Sequence, residues 1–166
     1  MVEIQRAAPG DFLDIAALDR AAWRTNRHPE FIPDGEHVWR IWCEHALTFV
    51  ARAAGRTVGA ILAFPCAGGS YCLHKVMVDE SFRARGVGSR LCATLLEEID
   101  RLGVRVFLTV DPANSGALKL YAKWGFSDRR LEPGFYRPSE DRYVLTRPAP
   151  AAAPARSAGE RPGATP

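Results

Sequence analysis

The chain has 166 residues, 47% of them hydrophobic and 25% charged, with a formal net charge of +3, the profile of one globular core rather than a disordered or fibrous chain. About two-thirds of the unfolded surface can be buried at this length, so neither disulfides nor a structural metal are required, and a charge of +3 does not by itself point to nucleic acid. Cys43, Cys66, Cys72 and Cys92 form no Cys-x-x-Cys pair. The N-terminus has no apolar signal core and no apolar run approaches the roughly 18 residues of a spanning helix, so a reduced, cytoplasmic setting is expected and membrane insertion is not.

Val2 to Arg6 alternates and predicts a strand. Pro9-Gly10-Asp11 then opens a helix carrying Phe12, Ile15, Ala16, Leu18, Asp19 and Trp23, with Asp11 as its expected cap. Arg24 to Gly35 reads as a loop, and Val38 to His45 as a short second helix. The runs 47–52 and 57–64 flank Ala54-Gly55-Arg56, a hairpin pattern. A further strand spans Tyr71 to Val78, and the loop Arg83-Ala84-Arg85-Gly86-Val87-Gly88 leads into a helix. Val87, Leu91, Cys92, Leu95, Ile99 and Leu102 give that helix an apolar stripe, and Gly103 ends it. Val104 to Val110 is nearly all apolar, as in a strand buried on both faces. A helix from about Asn114 to Trp124 follows, then a final strand pair bounded by Phe126 and by Arg142 to Thr146. This order predicts a mixed α/β sandwich on a central sheet over residues 1–146. Residues 147–166, dominated by Ala and Pro with no aromatic or branched apolar side chain, are expected to be a disordered tail.

Strand, glycine loop and amphipathic helix together make an anion site. Amides of the first helical turn lack intrahelical acceptors and the helix dipole adds partial positive charge there. Gly86 and Gly88 let a bulky phosphate group approach the backbone. The loop has no lysine, which excludes a P-loop, and Leu91 stands where a dinucleotide fingerprint has its third glycine. Taken alone, the motif is equally a helix start with solvated arginines.

Val78 to Gly88 and Asn114 to Phe126 together resemble the two signature motifs of the GNAT superfamily of acyl-CoA-dependent N-acyltransferases. Arg83-x-x-Gly86-x-Gly88 is similar to the family's pyrophosphate-wrapping loop, and Asn114, Ala117, Leu120, Tyr121, Gly125 and Phe126 to its second segment. The resemblance covers about residues 2–146, with residues 20–45 as the variable acceptor side. It implies a GNAT-like, mostly antiparallel sheet with helices on both faces and splayed strands forming an acyl-CoA cleft. Acetyl-CoA would be held by Val76, Met77 and Val78 through backbone groups, by Arg83, Ala84, Arg85, Gly86, Val87, Gly88 and Ser89, and by Asn114. No metal is implied. Tyr121 would be the acid that protonates the leaving thiolate, a phenol being protonated at neutral pH.

The attacking amine must lose a proton, and where many relatives carry a glutamate this chain has Thr109. Leu73-His74 resembles the arylalkylamine N-acetyltransferase strand, in which two histidines relay protons; the second is Cys72 here. His74 is therefore the candidate base, with Asp111, Asp79 and Glu36 in reserve. A satisfied edge-strand histidine, and for Tyr121 a core aromatic, are the bland alternatives. Acceptor recognition would fall to the segments 24–36 and 133–141. In them Glu30, Asp34, Glu36, Glu140 and Asp141 could hold an ammonium, while Phe31 and Tyr136 add aromatic surface.

The function expected is acetyl transfer from acetyl-CoA to a primary amine, of a small molecule or of a protein or peptide, by direct attack in a ternary complex. A non-catalytic acyl-CoA sensor is the competing class. Cys72 as an acyl carrier and nucleic-acid binding through Arg83, Arg85, Arg90, Arg129 and Arg130 have little support, since acids interrupt those arginines. Dimers are common in the family, so a homodimer is compatible with the sequence.

Overall fold

A computed structural model describes residues 1–25 and 32–151. The strands are β1 (Val2–Arg6), β2 (Leu47–Ala53), β3 (Arg56–Pro65), β4 (Tyr71–Val78), β5 (Val106–Val110), β6 (Asp128–Glu132) and β7 (Arg142–Arg147). The helices are α1 (Phe12–Thr25), α2 (Glu36–His45), α3 (Val87–Leu102) and α4 (Ser115–Lys123). Among the described residues no helix is long and apolar enough to cross a membrane.

The seven strands form one sheet in the order β1-β2-β3-β4-β5-β7-β6, antiparallel throughout except where β4 runs parallel to β5. Each face carries its own core. Phe49, Ala51, Ile61 and Ala63 pack under the α3 stripe of Leu91, Cys92, Leu95 and Ile99. Their strand neighbours Val50, Ala60 and Leu62 face the other way, against Ile15, Ala16 and Leu18 of α1 and Trp39 of α2. Covered on both sides, β2 and β3 read as unbroken apolar runs. The β2–β3 hairpin turns on Ala54 and Gly55, both at positive φ, the conformation that two-residue hairpins favour. At Gly59 α3 comes so close that an added Cβ would lie 3.1 Å from Leu91 Cδ1 and 3.2 Å from the Met77 carbonyl oxygen.

Four expectations change. Asp11 ends a 3-10 turn ahead of α1, and its carboxylate turns back to accept from the Ala8 amide at 2.9 Å and to pair with Arg52, rather than capping the helix. β5 is shorter than read, and Phe107 and Thr109 stay half-buried, Thr109 lining a cavity. Phe126 lies before β6 and is buried beside α4 instead of opening the strand. Arg147 closes β7, one residue past the expected boundary, and its guanidinium grips Asp100 of α3 at 2.5 and 2.8 Å. Glu30, Phe31 and most of the tail lie outside the described residues.

Candidate active site

β4 and β5 pair at only two positions, Tyr71 with Val106 and Cys72 with Phe107, and then separate. The other edge of β4 stays bonded to β3, with one irregularity. Ala63 pairs with Leu73 and Leu62 with Lys75, so His74 is an extra residue opposite no partner, a β-bulge. The extra residue resets the alternation of side chains. Leu73, Val76 and Val78 face α3, whereas His74 and Lys75, though consecutive, both turn toward the α1–α2 side.

The open end of β4 runs into the glycine loop. Asp79 caps a 3-10 turn over 80–82 by accepting from the Ser81 amide at 3.0 Å. Ala84 and Gly86 take left-handed φ values of 57° and 75°, a tight reversal that aims the start of α3 at the cleft. The amides of Val87, Gly88 and Ser89 are in the first turn of α3, where the helix supplies no acceptors. A hollow of about 260 Å³ lies here, lined by Val76, Val78, Arg83, Ala84, Gly86, Val87, Gly88, Ser89, Cys92, Leu120 and Trp124. Most of the residues read from the sequence as holding an anion therefore converge. Arg83 Nε donates to the Val78 carbonyl at 3.2 Å, and Arg85 lies over the Phe82 ring at 5.4 Å. The side chain of Met77 is buried in the α1–α2 core, so only its backbone is available to the cleft.

Where β4 and β5 have parted, a cavity of about 640 Å³ is lined by residues that include Asp34, Cys72, His74, Lys75, Thr109, Asp111, Asn114, Tyr136 and Glu140. His74 Nε2 lies 3.1 Å from Asp34 Oδ2, and its ring sits 5.3 Å from Trp42 and 5.7 Å from Phe64. Lys75 Nζ reaches Asp34 at 2.5 Å and both carboxylate oxygens of Asp19 at 2.9 Å. Asp19 is fully buried and also accepts from Trp39 Nε1 and from the Asp34 amide. Burial raises the Asp34 pKa, but hydrogen bonds from His74 and Lys75, with their charges, outweigh it and hold the carboxyl below its ordinary value. Asp19 and Lys75 were not among the candidate site residues; the polar positions facing an apolar helix stripe were the only signal for them.

The remaining candidates divide. Asn114 caps α4 by accepting from the Ala117 amide through Oδ1 at 3.0 Å, a cap that uses no donor of its Nδ2 group. Tyr121 is set among Trp124 (6.0 Å) and Phe126 (5.6 Å) and lines neither cavity; burial, then Cys92, push its phenol up to about 12. Burial, with Cys66 beside it, pushes the Cys72 thiol up to about 12, which leaves it a poor nucleophile. Thr109 shares a 2.8 Å hydrogen bond with the Tyr136 hydroxyl. Glu140 is buried between Arg137 and Arg142, Asp141 accepts from the Gly134 amide, and Glu36 pairs with Arg20, so these three carboxylates are committed to protein partners. Among the reserve bases, Asp79 pairs with Arg56 at 2.8 Å, while Asp111 borders the cavity and accepts from the Ala113 amide.

The profile of the acetyltransferase (GNAT) family matches residues 13–126. An uncharacterized N-acetyltransferase of Methanocaldococcus jannaschii is 33% identical over 66 residues, 39% of this chain and 29% of that protein. The N-alpha-acetyltransferase RimI of Mycobacterium tuberculosis is 40% identical over 78 residues, 46% of this chain and 48% of that one. The matched stretch thus spans less than half the length of both. The crystal structure of the ribosomal-protein-S18-alanine N-acetyltransferase from Escherichia coli superposes with a TM-score of 0.76 at 21% identity, over 93% of this chain and 98% of that one; the likeness is one of fold.

Proposed function

The chain belongs to the acetyltransferase (GNAT) family, and we propose that it moves the acetyl group of acetyl-CoA onto a primary amine by direct attack in a ternary complex. The parting of β4 from β5 beyond Cys72 carries this reading. It opens a slot, with backbone groups of Val76 to Val78 not paired to β5 along one wall and the α3 N-terminus at one end. A pantetheine arm suits that slot and a pyrophosphate suits the loop amides. The groups lining the far side suit an amine: His74 and Asp34 beside Thr109 and Tyr136.

In the reaction the loop and slot hold the donor, so that the thioester is positioned rather than activated by a covalent step. Backbone amides of β4 stabilise charge on the acyl oxygen. His74 takes the proton of the incoming ammonium. Tyr121, whose raised pKa keeps its proton in place, supplies one to the CoA thiolate. Relatives named for the alanine of ribosomal protein S18 make a protein α-amine one candidate acceptor, and a small amine is the other. We place the reaction in the cytoplasm, where the four free cysteines would stay reduced.

A thermal-shift series with acetyl-CoA, CoA, ATP and NAD tests the donor. At about 100 times the dissociation constant, binding adds about 2.7 kcal/mol, or roughly 5–10 °C in this size range. The shift is expected with the CoA compounds alone, and a flat response to both refutes the proposal. Tyr121→Phe is then expected to bind acetyl-CoA normally and to lower turnover about 10²-fold or more. Unchanged turnover would remove Tyr121 from the chemistry and return it to the aromatic cluster.

A further inference from the structure

We infer that Asp34 is a positioning residue that fixes the His74 imidazole for proton removal, and that the buried Asp19–Lys75 ion pair holds Asp34 in place. The inference rests on the acetyltransferase reading and assigns roles to three residues outside the motifs that identify the family. It starts from the bulge. Unbroken alternation from Leu73 would put His74 and Lys75 on opposite faces; the bulge lets both approach Asp34 from the same side.

An ionised carboxylate only accepts hydrogen bonds, so the 3.1 Å contact requires the imidazole proton to be on Nε2. Nδ1 is then the lone-pair nitrogen. Asp34 belongs to a loop, where a carboxylate with no further role would turn to water. Here two contacts restrain it, and a third braces the lysine that makes one of them. Its amide donates to Asp19 Oδ2 at 2.8 Å, its Oδ2 accepts from Lys75 at 2.5 Å, and the lysine is anchored by both oxygens of Asp19. Asp19 is in turn fixed by Trp39 Nε1 at 3.2 Å. Trp42 and Phe64 flank the imidazole and limit its rotation.

An N–H proton of the substrate ammonium passes to His74 Nδ1, and the freed amine pair forms the new N–C bond at the acetyl carbon. The C–S bond breaks, and the CoA thiolate takes the Tyr121 hydroxyl proton. Loss of the second amine proton to solvent leaves the amide, the imidazolium releases its proton, and the phenolate regains one. The net products are amide, CoA thiol and one proton.

Two readouts test this, on histidine-labelled protein and in an acetyl-CoA thiol-release assay over a panel of primary amines and short peptides. In the first, the His74 Nε2 proton is expected as a hydrogen-bonded, slowly exchanging resonance in the wild type, absent from Asp34→Ala, with His74→Gln for assignment. This arm needs no acceptor. In the second, Asp34→Asn is expected to lower kcat at least about tenfold, a part of the 10²–10⁴-fold that general base catalysis supplies, with KM for acetyl-CoA within about twofold. The near-isosteric Asn is the variant of record should Asp34→Ala not fold. A resonance that survives in Asp34→Ala, or kcat within twofold in Asp34→Asn, overturns the inference while acetyl-CoA binding stands. A wild type that binds no acetyl-CoA refutes the acetyltransferase reading itself, and the role of Asp34 falls with it.

Discussion

Replacing Lys75 by methionine removes a cation that reaches both carboxylates while leaving most of the stem volume in place. Nζ is 2.9 Å from the oxygens of Asp19, and the lysine side chain is only 9% exposed. A unit-charge pair at that distance attracts by about 6 kcal/mol at an effective dielectric of about 20, most of it offset by the desolvation already incurred on folding. The single substitution leaves the fully buried Asp19 without that cation, with the Trp39 and Asp34 N–H groups as its compensation among the described residues. That situation costs about 3–5 kcal/mol, or roughly 6–20 °C of midpoint in this size range. Asp19→Asn/Lys75→Met removes both charges and keeps an acceptor for Trp39, so the pair of changes is expected to be less destabilising than Lys75→Met alone. Urea unfolding at pH 7, followed by tryptophan fluorescence with Trp39 adjacent to the site, measures the cycle. Additive effects in the double variant, or a loss below about 1 kcal/mol for Lys75→Met, would refute the reasoning that Asp19 depends on this lysine.

Two further outcomes are expected. Asp34 has a folded pKa below the ordinary aspartate value, so its contacts stabilise the fold above that ordinary value and are lost as pH falls through the folded one. The midpoint difference between wild type and Asp34→Asn should accordingly be full above about pH 5 and shrink with further acid in calorimetric scans; a difference that grows with acid would reverse the sign. Gly59→Ala places a methyl group 3.1 Å from Leu91 and 3.2 Å from the Met77 carbonyl, and is expected to cost about 1–3 kcal/mol in denaturant unfolding. A neutral or stabilising result would mean that α3 stands further from the sheet.

The sequence carries the fold further than it carries the site. The order of elements, the bounds of β4 and the α3 stripe are all legible, since each rests on local periodicity or on a glycine that ends a helix. β5 misleads because its apolar composition suits both a covered face and a cavity wall, and composition alone does not distinguish them. The anion loop is legible because its residues are contiguous. The polar group beneath the acceptor cavity is not, because Asp19 and Lys75 are 56 residues apart and meet only through a bulge that reverses the expected alternation. Asp34, named for ammonium binding, is instead bound to His74 and Lys75. His74 is legible only through resemblance, and nothing in the sequence pairs it with the carboxylate beside it.

The extra residue in β4 also splits that strand into two lengths of opposite phase. Residues 71–73 follow one alternation and 75–78 the other, so the two halves answer to different neighbours. Deleting residue 74 would remove the bulge and leave Lys75, Val76, Met77 and Val78 on their present faces and opposite their present partners, so the loss would be confined to the imidazole. The register of the strand is therefore independent of the bulged residue, and what the extra residue adds is the chemistry of that one position. Diversity of acceptor chemistry can then enter at this bulged position as well as in the loops that rim the cavity.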